Sequence, residues 1–195
     1  RLITNGAHRC DCDVAGVGPG SAPNLSVISP TTMVLDTGTR VDGRCQTNVE
    51  ATSAAGDVAN HLQPLFGRVR VEHYNNAEKM GRFAARAMLG DQRPYDYVHT
   101  FWSDQFEHSL EYVGHAARWD RVPIRGDVAA RNFLAFYVEG GTLRAVAGLN
   151  RGGDPELDED SELHACQQLI ARRASPSVEA LTDERVDLRE LAAAT

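Results

Sequence analysis

Three short blocks of this chain carry residue types that do chemistry. In Ala54-Ala55-Gly56-Asp57-Val58, a carboxylate closes a short apolar segment. Glycine there lets a ligand approach the backbone, and a carboxylate accepts hydrogen bonds from sugar or polyol hydroxyls. A plain turn or helix-cap carboxylate fits the same residues. In Glu72-His73-Tyr74-Asn75-Asn76-Ala77, an amide-rich stretch opens a helix. A helix start presents unpaired N–H groups and partial positive charge, which favour an anion or an electron-rich ring. A surface pairing of Glu72 with His73 is the plainer alternative. The third block, Thr100-Phe101-Trp102-Ser103-Asp104-Gln105-Phe106, sits where a second domain begins. Together the blocks suit a large polar cofactor.

Other chemistry finds little support. No metal spacing links the histidines, and neither a His-Glu-x-x-His nor a Gly-x-Ser-x-Gly motif occurs. Cys10 and Cys12 form a Cys-x-Cys without a second pair, so the four cysteines, with Cys45 and Cys166, read as reduced structural thiols of a cytoplasmic protein. Gly16-Val17-Gly18-Pro19-Gly20 is read as a turn rather than a dinucleotide loop. Residue 21 is serine where a third glycine belongs, and Pro23 obstructs the receiving helix. A formal charge of -7 argues against a general nucleic-acid binder, and no apolar run reaches membrane-spanning length. The chain opens at Arg1 in mid-pattern and reads as a fragment.

The elements that must position these blocks differ between the two halves. Residues 1 to about 59 read as short strands and turns: an Asn5-Gly6 hairpin, a buried strand over Asp13–Gly18, strands at Met33–Leu35 and Thr39–Val41, and a short strand at Ser53–Ala55. Residues 60–70, with Pro64 and Gly67, read as a loop. A helix is expected from Asn75 or Asn76 to Leu89, stopped by Gly90, with an inward stripe of Ala77, Gly81, Ala84, Ala85 and Met88. Lys79, Arg82 and Arg86 share its outer face. Four strands follow, at Ser109–Ala117, Arg121–Arg125, Asn132–Val138 and Thr142–Leu149. Gly140-Gly141 makes a hairpin, and the third strand, apolar on both faces, is central. A helix from Pro155 to Arg173 has an acidic start and a basic end, matched to its dipole. A short helix is expected near the end of the tail.

The ordered set Val41-Asp42-Gly43-Arg44-Cys45-Gln46-Thr47, Ala54–Val58, Glu72–Ala77 and Phe101–Gln105 resembles the FAD-dependent pyridine-nucleotide reductases that serve ferredoxins or rubredoxins of oxygenase systems. Apoptosis-inducing factor is a more distant relative. The resemblance is to the C-terminal half of such an enzyme. It implies an α/β fold with α+β parts. Residues 1–95 would hold the end of the NAD-binding domain and the C-terminal part of the FAD-binding domain, both Rossmann-like. Residues 96–195 would form an antiparallel-sheet reductase C-terminal domain with flanking helices. It implies FAD as cofactor, NAD(P)H as substrate and an iron–sulfur ferredoxin or rubredoxin as partner, with a homodimer left open. In the family's pattern Gly56 and Asp57 hold the ribityl–phosphate region. His73, Tyr74, Asn75 and Ala77, at the helix start, face the flavin pyrimidine. Trp102 lies near the isoalloxazine, able to pack on the ring and donate its N–H. Lys79, Arg82 and Arg86, with Arg93, are expected to steer an acidic ferredoxin. No catalytic side chain is assigned, and the fragment alone is expected to be inactive. The alternative is a non-catalytic interaction or dimerisation module related to the C-terminal domain of the apoptosis-inducing-factor type.

Overall fold

The computed structural model describes residues 2, 3, 6, 8–18, 20–26, 28 and 32–194. Strands β1 (Leu2–Ile3) and β2 (Arg9–Cys10) pair antiparallel, as the expected hairpin requires. Gly6 lies in a turn, whereas Asn5 of the turn signal is outside the described residues, as is Pro19 of the glycine-rich run. The buried strand expected over Asp13–Gly18 does not form; this stretch is exposed and irregular. Val14 and Val17 are its larger apolar side chains, too little buried area to offset the entropy of ordering the backbone.

A three-stranded sheet comes next. It contains β3 (Thr39–Arg40), β4 (Ala59–Gln63) and β5 (Gly67–Arg70), with β3 parallel and β5 antiparallel to β4. The expected loop over 60–70 is therefore a hairpin. Pro64 and Gly67, on which the loop reading rested, mark only the connection between the two strands, and the polar residues Asn60, His61 and Gln63 are buried. Gln63 closes the turn by accepting from the N–H groups of Leu65 and Phe66, at 2.5 and 2.9 Å.

Helix α1 (Tyr74–Met88) buries Asn75, Asn76, Met80, Phe83, Ala84 and Ala87. The expected small-residue stripe is displaced. Of its five members only Ala84 is buried, and Met88 is exposed. Met80 and Phe83 bury more apolar area than Gly81 and Ala85, so they set the rotation of the helix. With Val41, Cys45, Ala59 and Tyr95 they make a first core. Burial pushes the Cys45 thiol up to about 12, with Asp42 adding to the rise. All four cysteines are free.

The second half holds five antiparallel strands where four were expected: β6 (Thr100–Gln105), β7 (His108–Gly114), β8 (Ile124–Asp127), β9 (Asn132–Glu139) and β10 (Thr142–Leu149), in the order β6-β7-β10-β9-β8. Strand β9 is flanked by β10 and β8, as its two apolar faces required. Gly140 and Gly141, at φ +57° and +82°, make the β9–β10 turn, a conformation that glycine adopts at little cost. One sheet face, with Val113, Leu134, Phe136, Val138 and Val146, packs on α2 (Glu162–Ala171) and α4 (Leu188–Ala193). Helix α3 (Val178–Thr182), between them in the chain, packs against β8. Among the described residues no helix is long and apolar enough to cross a membrane.

The acidic stretch after Pro155 is not the start of α2. Asp154 and Asp158 accept from the N–H groups two residues on, at 2.8 and 3.0 Å, and such local bonds compete with helix. The helix begins where Ser161 caps it, its Oγ accepting from the His164 N–H at 3.1 Å. Ser161→Ala is expected to lower the unfolding free energy by about 1 kcal/mol, read as a lower urea midpoint at unchanged slope.

Candidate functional site

Asp57 stands in a single 3-10 turn, Gly56–Val58, not at a strand end as expected. Gly56 turns the chain at φ +76°, and a Cβ built there would sit 3.5 Å from the Ala77 Cβ. The turn therefore rests on the first turn of α1. Asp57 remains exposed, and its charge acts on His73.

The helix start itself lacks an internal cap. His73, rather than the expected Asn75 or Asn76, occupies the capping position, and its side chain makes no bond to the helix. His73 Nδ1 and Asn75 Oδ1 are buried without hydrogen-bond partners. Burial holds the His73 pKa below its ordinary value, helped by His115 and opposed by Asp57 and Glu72. Its ring lies 4.7 Å from that of Phe101, which stacks at 5.0 Å on Tyr112. Asn75 Nδ2 donates to Thr100 Oγ1 and, at 3.2 Å, to the Tyr97 hydroxyl. These bonds fix the helix start against β6.

Trp102, on β6, is 50% exposed and Tyr74 is 78% exposed. With Asn75 they line an open groove of about 700 Å³. Gly56, Asp57, His73 and Ala77 do not line it; they surround the same helix start on its other flank. The groove also carries Asp104, Glu111 and Asp154. Glu111 pairs across the strands with Trp102, and burial raises its pKa, with Asp154 adding to the rise.

The expected cationic face is assembled but largely neutralised. Lys79, Arg82, Arg86 and Arg93 line one crevice of about 350 Å³ with Tyr95 and Tyr97. Lys79 pairs with Glu156, Arg82 with Glu78 at 2.5 Å, and Arg93 with Asp91 at 2.7 Å. Arg86 lies over the Phe83 ring at 6.0 Å.

Tyr97 was not singled out in the sequence, and Thr100 and Phe101 were named there only as part of the third block; all three hold the helix start. A period-2 reading of residues 100–105 would have put Thr100 and Trp102 on one face and Phe101 on the other. It was missed because the strand is half polar. The arrangement fits a flavin on its own terms. Free N–H groups at a helix start favour negative charge on a ring edge, and two buried polar atoms beside them lack partners.

Comparison with known proteins adds four likenesses. A family model described as Reductase C-terminal matches residues 100–192. The ferredoxin–NAD(+) reductase component of the anthranilate 1,2-dioxygenase system of Burkholderia cepacia is 35% identical over 179 residues, 91% of this chain and 42% of that protein. Putidaredoxin reductase CamA of Pseudomonas putida is 32% identical over 194 residues, 99% of this chain and 44% of that protein. Among solved structures, the ferredoxin reductase for the CYP199A2 system of Rhodopseudomonas palustris superposes with a TM-score of 0.85 at 31% identity, covering 97% of this chain and 45% of that one. The chain thus spans less than half the length of these relatives.

Proposed function

We propose, from its membership of the FAD-dependent pyridine-nucleotide oxidoreductases of the ferredoxin-reductase type, that the chain supplies the flavin-facing C-terminal half of such an enzyme. The parent reaction carries electrons from NADH or NADPH through FAD to an iron–sulfur ferredoxin or rubredoxin, in the service of an oxygenase. Residues 1–95 complete the dinucleotide-binding domains, and residues 96–195 form the C-terminal domain. FAD supplies the redox chemistry when bound; the protein orients it and tunes its charge.

The observation that carries this reading is the uncapped start of α1 beside the Gly56–Asp57 turn. Asp57 takes the ribityl hydroxyls, and Gly56 and Ala77 leave room for the chain of the cofactor. The N–H groups near Tyr74 and Asn75 meet the pyrimidine edge, where reduction places negative charge. Burial lowers the His73 pKa and so disfavours its charged form beside these groups. Trp102 covers the ring from the C-terminal domain. With Lys79, Arg82 and Arg93 already paired, steering of an acidic carrier falls mainly to Arg86, so Arg86→Glu is the reversal that should weaken the salt dependence of reduction most.

A second reading, the interaction module, draws on the sheet face opposite α2. There Phe101, Tyr112, Phe133 and Tyr137 are half-buried, and Trp119 is 52% exposed against Tyr137. One experiment separates the two. Purified from its complete reading frame, the protein should show flavin absorbance that bleaches on addition of NADH or NADPH. A protein that stays colourless with added FAD would defeat the reductase reading and favour the module.

A further inference from the structure

Two histidines meet at the joint between the two cores with nothing to bond to. His61 comes from β4 and His99 immediately precedes β6; each is 1% exposed. Their rings meet edge to face, centroids 5.6 Å apart at 89°. All four ring nitrogens lack a hydrogen-bond partner, an unusual state for buried imidazoles. Phe66, from the β4–β5 turn, lies 6.0 Å from His99 and 5.9 Å from His115, which follows β7. The turn thus reaches across from the first unit to the second, where Leu65 and Phe66 join the C-terminal core.

The charges that act on the two rings are cationic. Arg68, on β5, acts on His61, and His115 and His73 act on His99. From the sheet side, Arg144 on β10 donates to the Leu65 carbonyl at 3.2 Å. Arg173, beyond α2, donates to that of Pro64 at 2.5 Å. On the linker, the Tyr95 hydroxyl is spent on Asn76 and the Tyr97 hydroxyl on Glu156, itself tied to Lys79. The neighbouring amides are committed too, Gln63 to the β4–β5 turn and Gln167, on α2, to the Val98 carbonyl. A proton arriving on His99 therefore gains no compensating partner, and one arriving on His61 is favoured only by the Val69 backbone, which burial and Arg68 outweigh.

We propose that the His61–His99 pair is a proton-sensitive joint, whose protonation parts the β4–β5 turn from the C-terminal sheet while both cores stay folded. Burial holds His61 down to about 4 and His99 down to about 3. Freed histidines titrate near 6.5. The parted state therefore binds protons first. The joint is fully favoured above about pH 6.5 and loses ground as pH falls toward the two buried values. Each pH unit in that window favours parting by up to about tenfold per ring.

Hydrogen exchange of the full chain at pH 7.5 and 5.0, corrected for intrinsic rates, tests this. Peptides covering 59–70 should exchange at least about tenfold faster at pH 5.0 while those covering 132–149 keep their protection. The double variant His61→Leu/His99→Phe should be insensitive to pH over the same range. Unchanged protection of 59–70, or equal loss across the whole chain, would overturn the proposal. Should the double variant misfold, ring-proton NMR of the unaltered protein gives an independent check. Rings that stay neutral down to pH 5 support the joint, and rings that titrate near 6.5 in the folded protein refute it.

Discussion

Arg125→Met is expected to lower the unfolding free energy by about 2–3 kcal/mol, because it strips buried carbonyls of the α3–α4 connection of their charged donor. Arg125, on β8, is 4% exposed. Its guanidinium donates to the carbonyls of Asp183 and Val186, both at 2.8 Å, and faces Glu162 at 3.2 Å. Arg151 forks onto Glu162 and Glu184 beside it, at 2.7 to 2.9 Å. The two arginines thus fasten the α3–α4 connection to the edge strand. Urea denaturation should show a lower midpoint at an unchanged slope, and amides over 178–193 should lose exchange protection first. Arg125→Lys should recover only part of the loss, since an ammonium cannot reach several acceptors as a planar fork does. A midpoint within experimental error of the parent would show that the clamp contributes nothing.

Asp57→Ala should weaken flavin binding roughly ten- to hundredfold, the usual cost of removing a charged hydrogen-bond acceptor. Asp57 is exposed in the Gly56–Val58 turn, so its removal leaves no cavity and should leave the melting temperature of the cofactor-free protein unchanged. The measurement is fluorescence quenching of FAD titrated with the protein from its complete reading frame. Trp102→Phe, which keeps a ring but not the N–H, should cost less. If Asp57→Ala bound FAD as the parent does, the carboxylate would be a turn residue and the site would have to be redrawn around the helix start alone.

The sequence by itself determined the family through four ordered motifs, the helix that follows Glu72, the Gly140-Gly141 hairpin and the placement of β9 inside the sheet rather than at its edge. These are local signals: a capping or turn residue, a short apolar period, a glycine where φ must be positive. The tertiary structure decided what local signals cannot. It made β4 a buried strand despite Asn60, His61 and Gln63, because pairing with β3 and β5 satisfies the backbone and overrides side-chain polarity. It turned α1 toward Met80 and Phe83, because larger side chains gain more from burial. It moved the start of α2 from Pro155 to Ser161, where one hydroxyl meets an orphan N–H. Most consequentially, it brought Thr100 and Tyr97 onto Asn75 and Phe101 onto His73. Residues some 25 positions apart meet there only because β6 pairs with β7 and presents its edge to the start of α1, a juxtaposition that depends on sheet register.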